Sequence, residues 1–407
     1  MVAGCSLLAW PTASGAVGAK SWPGRGRLVA SAAAVDVTEW GASGDGETDD
    51  TGALAAAVQG AGEVFFPPGT YRISRPITVP SHVRLFGAGA QSTLKITAVD
   101  PTAAVTNYHA FQVPDGATDV RFQALRFVGD NAPFVPVYNN QSAAIDIAGT
   151  TATDITVSDC VFEDLWGFSV HNGGTSSRVT VTGCAFRRNA NGLNVNGNYS
   201  TQTHNTFEHS EGLEASGAYS VYAENYFLTS TGTLGALSLG GTTSPGSERP
   251  GNLVRGNIIY DAGGYGISVN DGFVDGAIIG NEVYRARKIG ISLTGSGVNG
   301  VRGIIVADNT VVSSGHIGES TRGGMLLNEP VVGCIVSGNR VLSGGDASYQ
   351  PLYGLLCYGT RNTFHDNTFE GLFKDVSLVG AIDVGWRGNR YDPMKLELRR
   401  GASLSTE

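Results

Sequence analysis

The feature that most constrains this chain is a recurring unit ending in Asn-x-apolar. Its asparagines are Asn205, Asn225, Asn257, Asn281, Asn309, Asn339, Asn367 and Asn389, with successive gaps of 20, 32, 24, 28, 30, 28 and 22 residues. Cys160 and Cys184 hold the matching place in two earlier units, Asp159-Cys160-Val161-Phe162 and Gly183-Cys184-Ala185-Phe186. Repeats of roughly 20–30 residues built from short period-two segments indicate a solenoid of strands. Helical repeats would carry their apolar residues at a period of about 3.6.

The expected architecture is therefore all-β, a single-stranded right-handed parallel β-helix of about ten coils. At about 4.8 Å per strand it would make a rod of about 48 Å. Composition agrees. Gly contributes 58 of 407 residues, about twice its usual share of ~7%, which suits tight turns between short strands. Apolar residues, at 41%, suffice for one long core. The asparagines read as a structural ladder, because buried amides at a tight turn can bond one another and the backbone of the next coil. Cys160 and Cys184, on adjacent coils, fall within disulfide range at about 4.8 Å. The preferred reading is reduced, buried thiols.

Residues 1–35 are expected to be a leader or disordered tail. They carry an apolar run, Val2 to Trp10, without a basic segment before it. Val2-Ala3-Gly4-Cys5 resembles a bacterial lipobox, which implies a lipid anchor at Cys5 if the true start lies upstream. The β-helix domain is expected over 36–395, with a C-terminal tail at 396–407. Within 36–96, Asp50 or Thr51 can cap a short helix whose apolar face is Ala53, Leu54, Ala57 and Val58. Such a helix can cover the open end of a coiled sheet.

The net charge of −9 disfavours nonspecific binding to nucleic acid. No run reaches the 18 or so apolar residues of a membrane span. Gly87-Ala88-Gly89 lacks the third glycine of a dinucleotide fingerprint, and no Gly-x-Ser-x-Gly or His-Glu-x-x-His occurs. No metal site or cofactor is expected.

Each coil also has a small-apolar-x-apolar-x strand whose polar members point outward. Counting from the first glycine of each block gives two outward rows. One runs Asp146, Ser169, Asn194, Glu214, Ser238, Ser268, Ser292; the next runs His171, Asn196, Ser216, Gly240, Asn270, Thr294, with Asp271 beside it. Loops at Gly129–Gln141 (with Phe134 and Tyr138), Gly241–Gly251 and Gly344–Pro351 (with Tyr349) are expected to wall a groove over this stripe.

The stretch Gly44-Asp45-Gly46-Glu47-Thr48-Asp49-Asp50-Thr51, followed by the helix and by Pro68-Gly69-Thr70-Tyr71, resembles the opening module of the pectate-lyase-like superfamily. That resemblance implies a right-handed parallel β-helix. It leaves the activity open among polysaccharide lyases, uronan epimerases, glycoside hydrolases, fructan-cyclising lyases and phage tailspikes. Trp166-Gly167-Phe168-Ser169-Val170-His171-Asn172 is similar to the catalytic segment of mannuronan C5-epimerases, which share their mechanism with alginate lyases. His171 matches the family's catalytic histidine. Trp166 stands where that family has Tyr, Ser169 where it has Asp, and Asn196 where the next coil gives Asp.

Two chemistries follow. In β-elimination or epimerisation, His171 is the base beside a carboxylate, and Asn194 and Asn196 bond the developing charge. In hydrolysis or transfer, two carboxyls act, roughly 5 Å apart for retention or 6.5–9.5 Å for inversion. Asp146 and Glu214 are three coils apart, about 14 Å, which is too far. Glu214 and Asp271, about 10 Å apart, are the better pair. The expected catalytic residues are His171, Glu214 and Asp271. The expected substrate-binding residues are Asp146, Asn194, Asn196, Asn270 and Trp166. The expected partner is a polysaccharide or oligosaccharide, the expected location secreted or cell-surface, and a homotrimer is among the assemblies expected. The third reading is a non-catalytic carbohydrate-binding or tailspike-like rod.

Overall fold

The computed structural model describes residues 34–97, 108–130, 142–232, 234–240, 247–295 and 299–405. The segments at 1–33, 131–141 and 241–246 hold Cys5, Phe134, Tyr138 and part of two expected loops, which lie outside the described residues.

Three long parallel sheets of 15, 13 and 13 strands run the length of a right-handed β-helix. A fourth sheet of four short strands, from Arg249–Pro250 to Val331–Val332, adds a facet to the middle coils. Thirteen strands span roughly 58 Å at the usual spacing. The count exceeds ten because the residues before 97 wind full coils of their own. Asp45–Asp49 pairs with Gly69–Ile73, and Val35–Asp36 with Val64 and Phe65. At the other end, Leu396–Arg399 and Leu404–Ser405 pair onto the third and first sheets, so residues expected as a tail form the last strands.

The core is the interior of the coil. Phe127, Phe162, Phe186, Phe207 and Phe227 are fully buried and stack in a column, with ring centroids 4.6–5.2 Å apart. That spacing is the strand spacing itself, so a repeated Phe fills each coil identically. Each such ring contributes roughly 1.5–3 kcal/mol by burial.

The asparagine ladder forms as the repeat predicts. From Asn205 to Asn367, each side-chain Nδ2 donates to the Oδ1 of the next asparagine at 2.8–3.0 Å, and each backbone N–H donates to that same oxygen. The Cys184 N–H donates to Asn205 Oδ1 at 3.0 Å, which places Cys184 at the head of the ladder. Cys160 and Cys184 are free, buried thiols.

The helix α1, Thr51–Gly60, closes the first coil, with Leu54, Ala57 and Val58 fully buried. Its capping differs from expectation. The buried Asp50 carboxylate accepts from the Ser43 and Gly44 N–H groups of the preceding loop and gives no side-chain cap. Asp49 does that work instead, accepting from the Thr51 N–H at 3.1 Å and from Ser74 Oγ at 2.6 Å. Those bonds, with Ser74 first, hold its carboxyl down at about 2.

Candidate functional site

The third sheet presents the face on which the candidate residues lie. Its register is fixed by one inward row: Ile145, Val170, Leu193, Leu213, Leu237, Ile267 and Ile291 are cross-strand partners in sequence. A small residue precedes each one, namely Ala144, Ser169, Gly192, Gly212, Ala236, Gly266 and Gly290. The corner is crowded there: a Cβ on Gly212 would come 1.8 Å from the Ala236 carbonyl oxygen.

This register corrects the two rows read from the sequence. Ser169, not Gly167, takes the small place in its coil. It is fully buried, and its hydroxyl has no partner among the described residues. His171 therefore moves into the first row, as the cross-strand partner of Asp146 on one side and Asn194 on the other. Asn194 in turn pairs with Glu214, and Glu214 with Ser238. One outward row thus reads Asp146, His171, Asn194, Glu214, Ser238.

The imidazole of His171 is held on three sides. Its Nδ1 lies 2.8 Å from Asp146 Oδ1. The ring of Phe168 stacks on it at 4.8 Å. Gly173 borders the remaining edge, where a Cβ would come 2.7 Å from Nε2. A carboxylate only accepts, so this contact is a hydrogen bond when Nδ1 carries a proton; in the neutral form of that tautomer Nε2 is the acceptor. A second imidazole approaches the same carboxylate: His109 Nε2 is 3.8 Å from Asp146 Oδ2, beyond hydrogen-bond length. Burial, first of all, holds His109 below the usual histidine value, against the opposing charge of Asp146.

Asn194 and Glu214 continue the row into a cleft of about 370 Å³. Asn196, Ser238, Tyr265 and Asn270 also line it. Asn194 Nδ2 is 3.4 Å from Glu214 Oε2. Burial raises the Glu214 carboxyl above the usual range, and the Asn194 contact partly opposes the rise. Three residues earlier, Glu211 is 9% exposed, and burial followed by the charge of Glu214 pushes it up to about 7.

The structure thus brings His171, Asp146, Asn194 and Glu214 into one row and places Asn196 and Asn270 along the cleft. It does not bring in the other two. Asp271 lies in the turn after the strand Tyr265–Asn270, buried and outside the cleft lining. Trp166 sits in a separate small crevice, where its Nε1 donates to Asp130 at 2.7 Å. Sequence reasoning missed Glu211 and His109. The run Glu211-Gly212-Leu213-Glu214 did offer a second carboxyl close to the first. His109 offered no such signal.

The sequence model of the rhamnogalacturonase A/epimerase, pectate lyase-like family matches residues 34–236. The chain belongs to the pectate-lyase-like superfamily. The preneck appendage protein of Bacillus phage PZA is 42% identical over 60 residues, 15% of this chain and 7% of that protein. Alginate lyase 7 of Azotobacter vinelandii is 31% identical over 105 residues, 21% of this chain and 12% of that one. Each match therefore spans about an eighth or less of the curated relative's length. Among solved structures, the A-module of the Azotobacter vinelandii mannuronan C-5 epimerase AlgE6 superposes with a TM-score of 0.50 at 16% identity, over 91% of this chain and 99% of that one. At that identity the likeness is one of fold. The pectate-lyase-like β-helix is a carbohydrate-active family that also has a phage appendage among its relatives.

Proposed function

We propose that the protein is an extracellular carbohydrate-active enzyme that acts on a polysaccharide laid along the third sheet, by β-elimination or epimerisation at an acidic sugar. The observation that carries the reading is the His171–Asp146 pair standing in one row with Asn194 and Glu214. His171 Nε2 would remove the proton beside the sugar carboxylate, and Asp146 would hold the resulting imidazolium. Asn194 would donate to the charge that develops on the carboxylate. In elimination the C–H electron pair becomes the new double bond and the glycosidic C–O bond breaks. The leaving oxygen would take its proton from Glu214, whose carboxyl burial raises above the usual range. In epimerisation the proton returns to the other face of the sugar. The His171 and Glu214 backbones stand two strands apart, roughly 10 Å, so both side chains would have to lean over Asn194 to act on one sugar.

A second reading, hydrolysis or transfer at Glu214, is supported by the raised carboxyl of Glu211 near it, since paired carboxyls with separated titrations serve as acid and base. In its favour, Glu214 lines the cleft; against it, Glu211 and Asp271 do not.

The test is incubation with a panel of acidic and neutral polysaccharides. Ultraviolet absorbance of unsaturated products reports elimination, and reducing ends without that absorbance report hydrolysis. His171→Ala is expected to lower turnover by about 10²–10⁴-fold with little change in unfolding. Turnover that survives His171→Ala but not Glu214→Gln replaces the first reading with the second. Binding without turnover across the panel leaves a non-catalytic rod.

A further inference from the structure

We infer that Tyr199 and Tyr219 form a stacking platform for one pyranose ring of the glycan, a subsite off the third sheet that rests on the glycan-acting reading above.

Both tyrosines stand in the turn that leads from the third sheet into the first. The strand register there places Asp154, Arg178, Tyr199, Tyr219 and Gly251 at one corner of five successive coils. All five have a left-handed backbone, with φ of 54° at Tyr199 and 52° at Tyr219. Gly and Asp adopt that conformation readily, whereas a bulky side chain there is strained. Burial does not offset the strain, because Tyr199 is 59% exposed and Tyr219 52%. Two strained, exposed aromatics side by side point to a binding role.

The pair is rigidly built. The rings stack at 5.3 Å, 10° from parallel. Tyr219 in turn lies over Gly251, where a Cβ would come 2.6 Å from its ring, so the absent side chain makes room for it. Asn198 Oδ1 accepts from the Ala218 N–H at 2.8 Å and ties the two turns together. Tyr219 thus covers one face of Tyr199, and the other face looks toward the coil of Arg178. Arg178 leaves that face open. Its Nε and Nη2 fork onto Asp154 at 2.7 and 2.8 Å, which turns the side chain toward the preceding coil.

A pyranose ring suits such a place. Its C–H bonds make an apolar, weakly positive face that complements the negative face of an aromatic ring. Its hydroxyls need donors and acceptors at the rim, and the exposed Arg178–Asp154 pair supplies both. Asn196 and Ser216 line the cleft just before Tyr199 and Tyr219 on the same coils. A sugar chain that leaves the cleft where the strands end therefore meets the platform next.

The experiment is saturation-transfer NMR titration of the full chain with cellohexaose, which has no carboxylate for the proposed elimination, and with an oligouronate. In both, hydrogens of one ring face should be enhanced over those of the other. Tyr199→Asn should weaken binding of each by about tenfold, and Tyr219→Asn by about threefold through loss of support. Tyr199→Phe, which keeps the ring, should stay within about twofold of the wild type. Asn tolerates a left-handed backbone, so the Asn variants should melt at or above the wild-type midpoint. A variant that fails to fold is replaced by Tyr199→Gly or Tyr219→Gly. Lower midpoints with unchanged binding mean a structural pair and overturn the inference. So does equal enhancement of both ring faces, binding of neither sugar, or a Tyr199→Asn change that only separates copies of the chain from one another. Turnover is read separately on the oligouronate. Binding that depends on Tyr199 without turnover keeps the platform and removes the proposed reaction. Turnover with binding indifferent to Tyr199 does the reverse.

Discussion

Asn257 and Asn194 are the same side chain at two places on one stack of coils, and their surroundings differ completely. Asn257 is fully buried, and its amide is saturated. Its Nδ2 donates to the Tyr222 carbonyl and to Asn281 Oδ1, both at 2.9 Å, and its Oδ1 accepts from the Asn225 backbone and side chain. Asn194 faces the cleft. Its Nδ2 reaches Glu214 only at 3.4 Å, and its buried Oδ1 has no partner among the described residues. The cause is the identity of the cross-strand neighbours. Where every coil repeats one residue, a 4.8 Å step lets each amide complete the next. Where the row changes from Asp to His to Asn to Glu, neighbours cannot saturate one another. Groups with free valence and shifted titration remain.

The sharpest way to break this contrast is to truncate both residues. Asn257→Ala would take a partner from the Tyr222 carbonyl and from two Asn225 donors in the core, and would leave Asn281 Oδ1 with only the backbone N–H of residue 257 from this coil. It should cost about 3–4 kcal/mol in urea unfolding. Asn194→Ala should cost less than about 1 kcal/mol and act on turnover instead. Equal costs would show that the cleft row is as structural as the ladder.

A somewhat smaller effect separates the two regions by pH. The ladder carries no titratable group, whereas Glu211 stands beside the cleft with its carboxyl raised from 4.5 to about 7. A folded-state value above the unfolded one means that the folded chain holds the proton more tightly. The stability this gives is complete below about 4.5 and is lost as pH rises through about 7. Across that window the loss is up to about 3 kcal/mol. Glu211→Gln should remove most of this slope and unfold at higher urea than the wild type at pH 8. An unchanged slope would mean that Glu211 is solvated and does not couple to Glu214.

The same contrast explains what the sequence made legible. The ladder could be read directly, because its spacing repeats a single residue type and the fold follows from that period. The opening motif and the cap helix were equally plain. The site was legible in its members but not in its register. Gly167 looks like the small residue that starts its strand, but Ser169 fills that place. A two-residue offset moved His171 from one row to the next and gave it Asp146 as partner. Alternation alone cannot resolve this, since Phe168 and Val170 are both apolar and both fit an inward reading. Glu211 and His109 acquire their properties from burial by neighbouring coils, which no local pattern encodes. Asp271, beside the stripe in sequence, is turned into a buried bend after Asn270.

The smallest expected effect tests where the ladder ends. Cys184 Sγ lies 3.7 Å from the Val157 carbonyl, and Asn205 Nδ2 donates at 2.9 Å to the Val181 carbonyl. Val157 and Val181 are cross-strand partners, so the thiol and the amide face equivalent acceptors one coil apart. An asparagine at 184 would have the Val157 carbonyl and Asn205 Oδ1 ready to accept from it. Cys184→Asn should therefore stay within about 1 kcal/mol of the wild type, despite putting an amide in a fully buried place. Cys184→Leu, which adds volume without a donor, should cost about 1–3 kcal/mol. If the two substitutions cost the same, the ladder stops at Asn205. The cysteines then mark a coil whose corner is packed by shape alone.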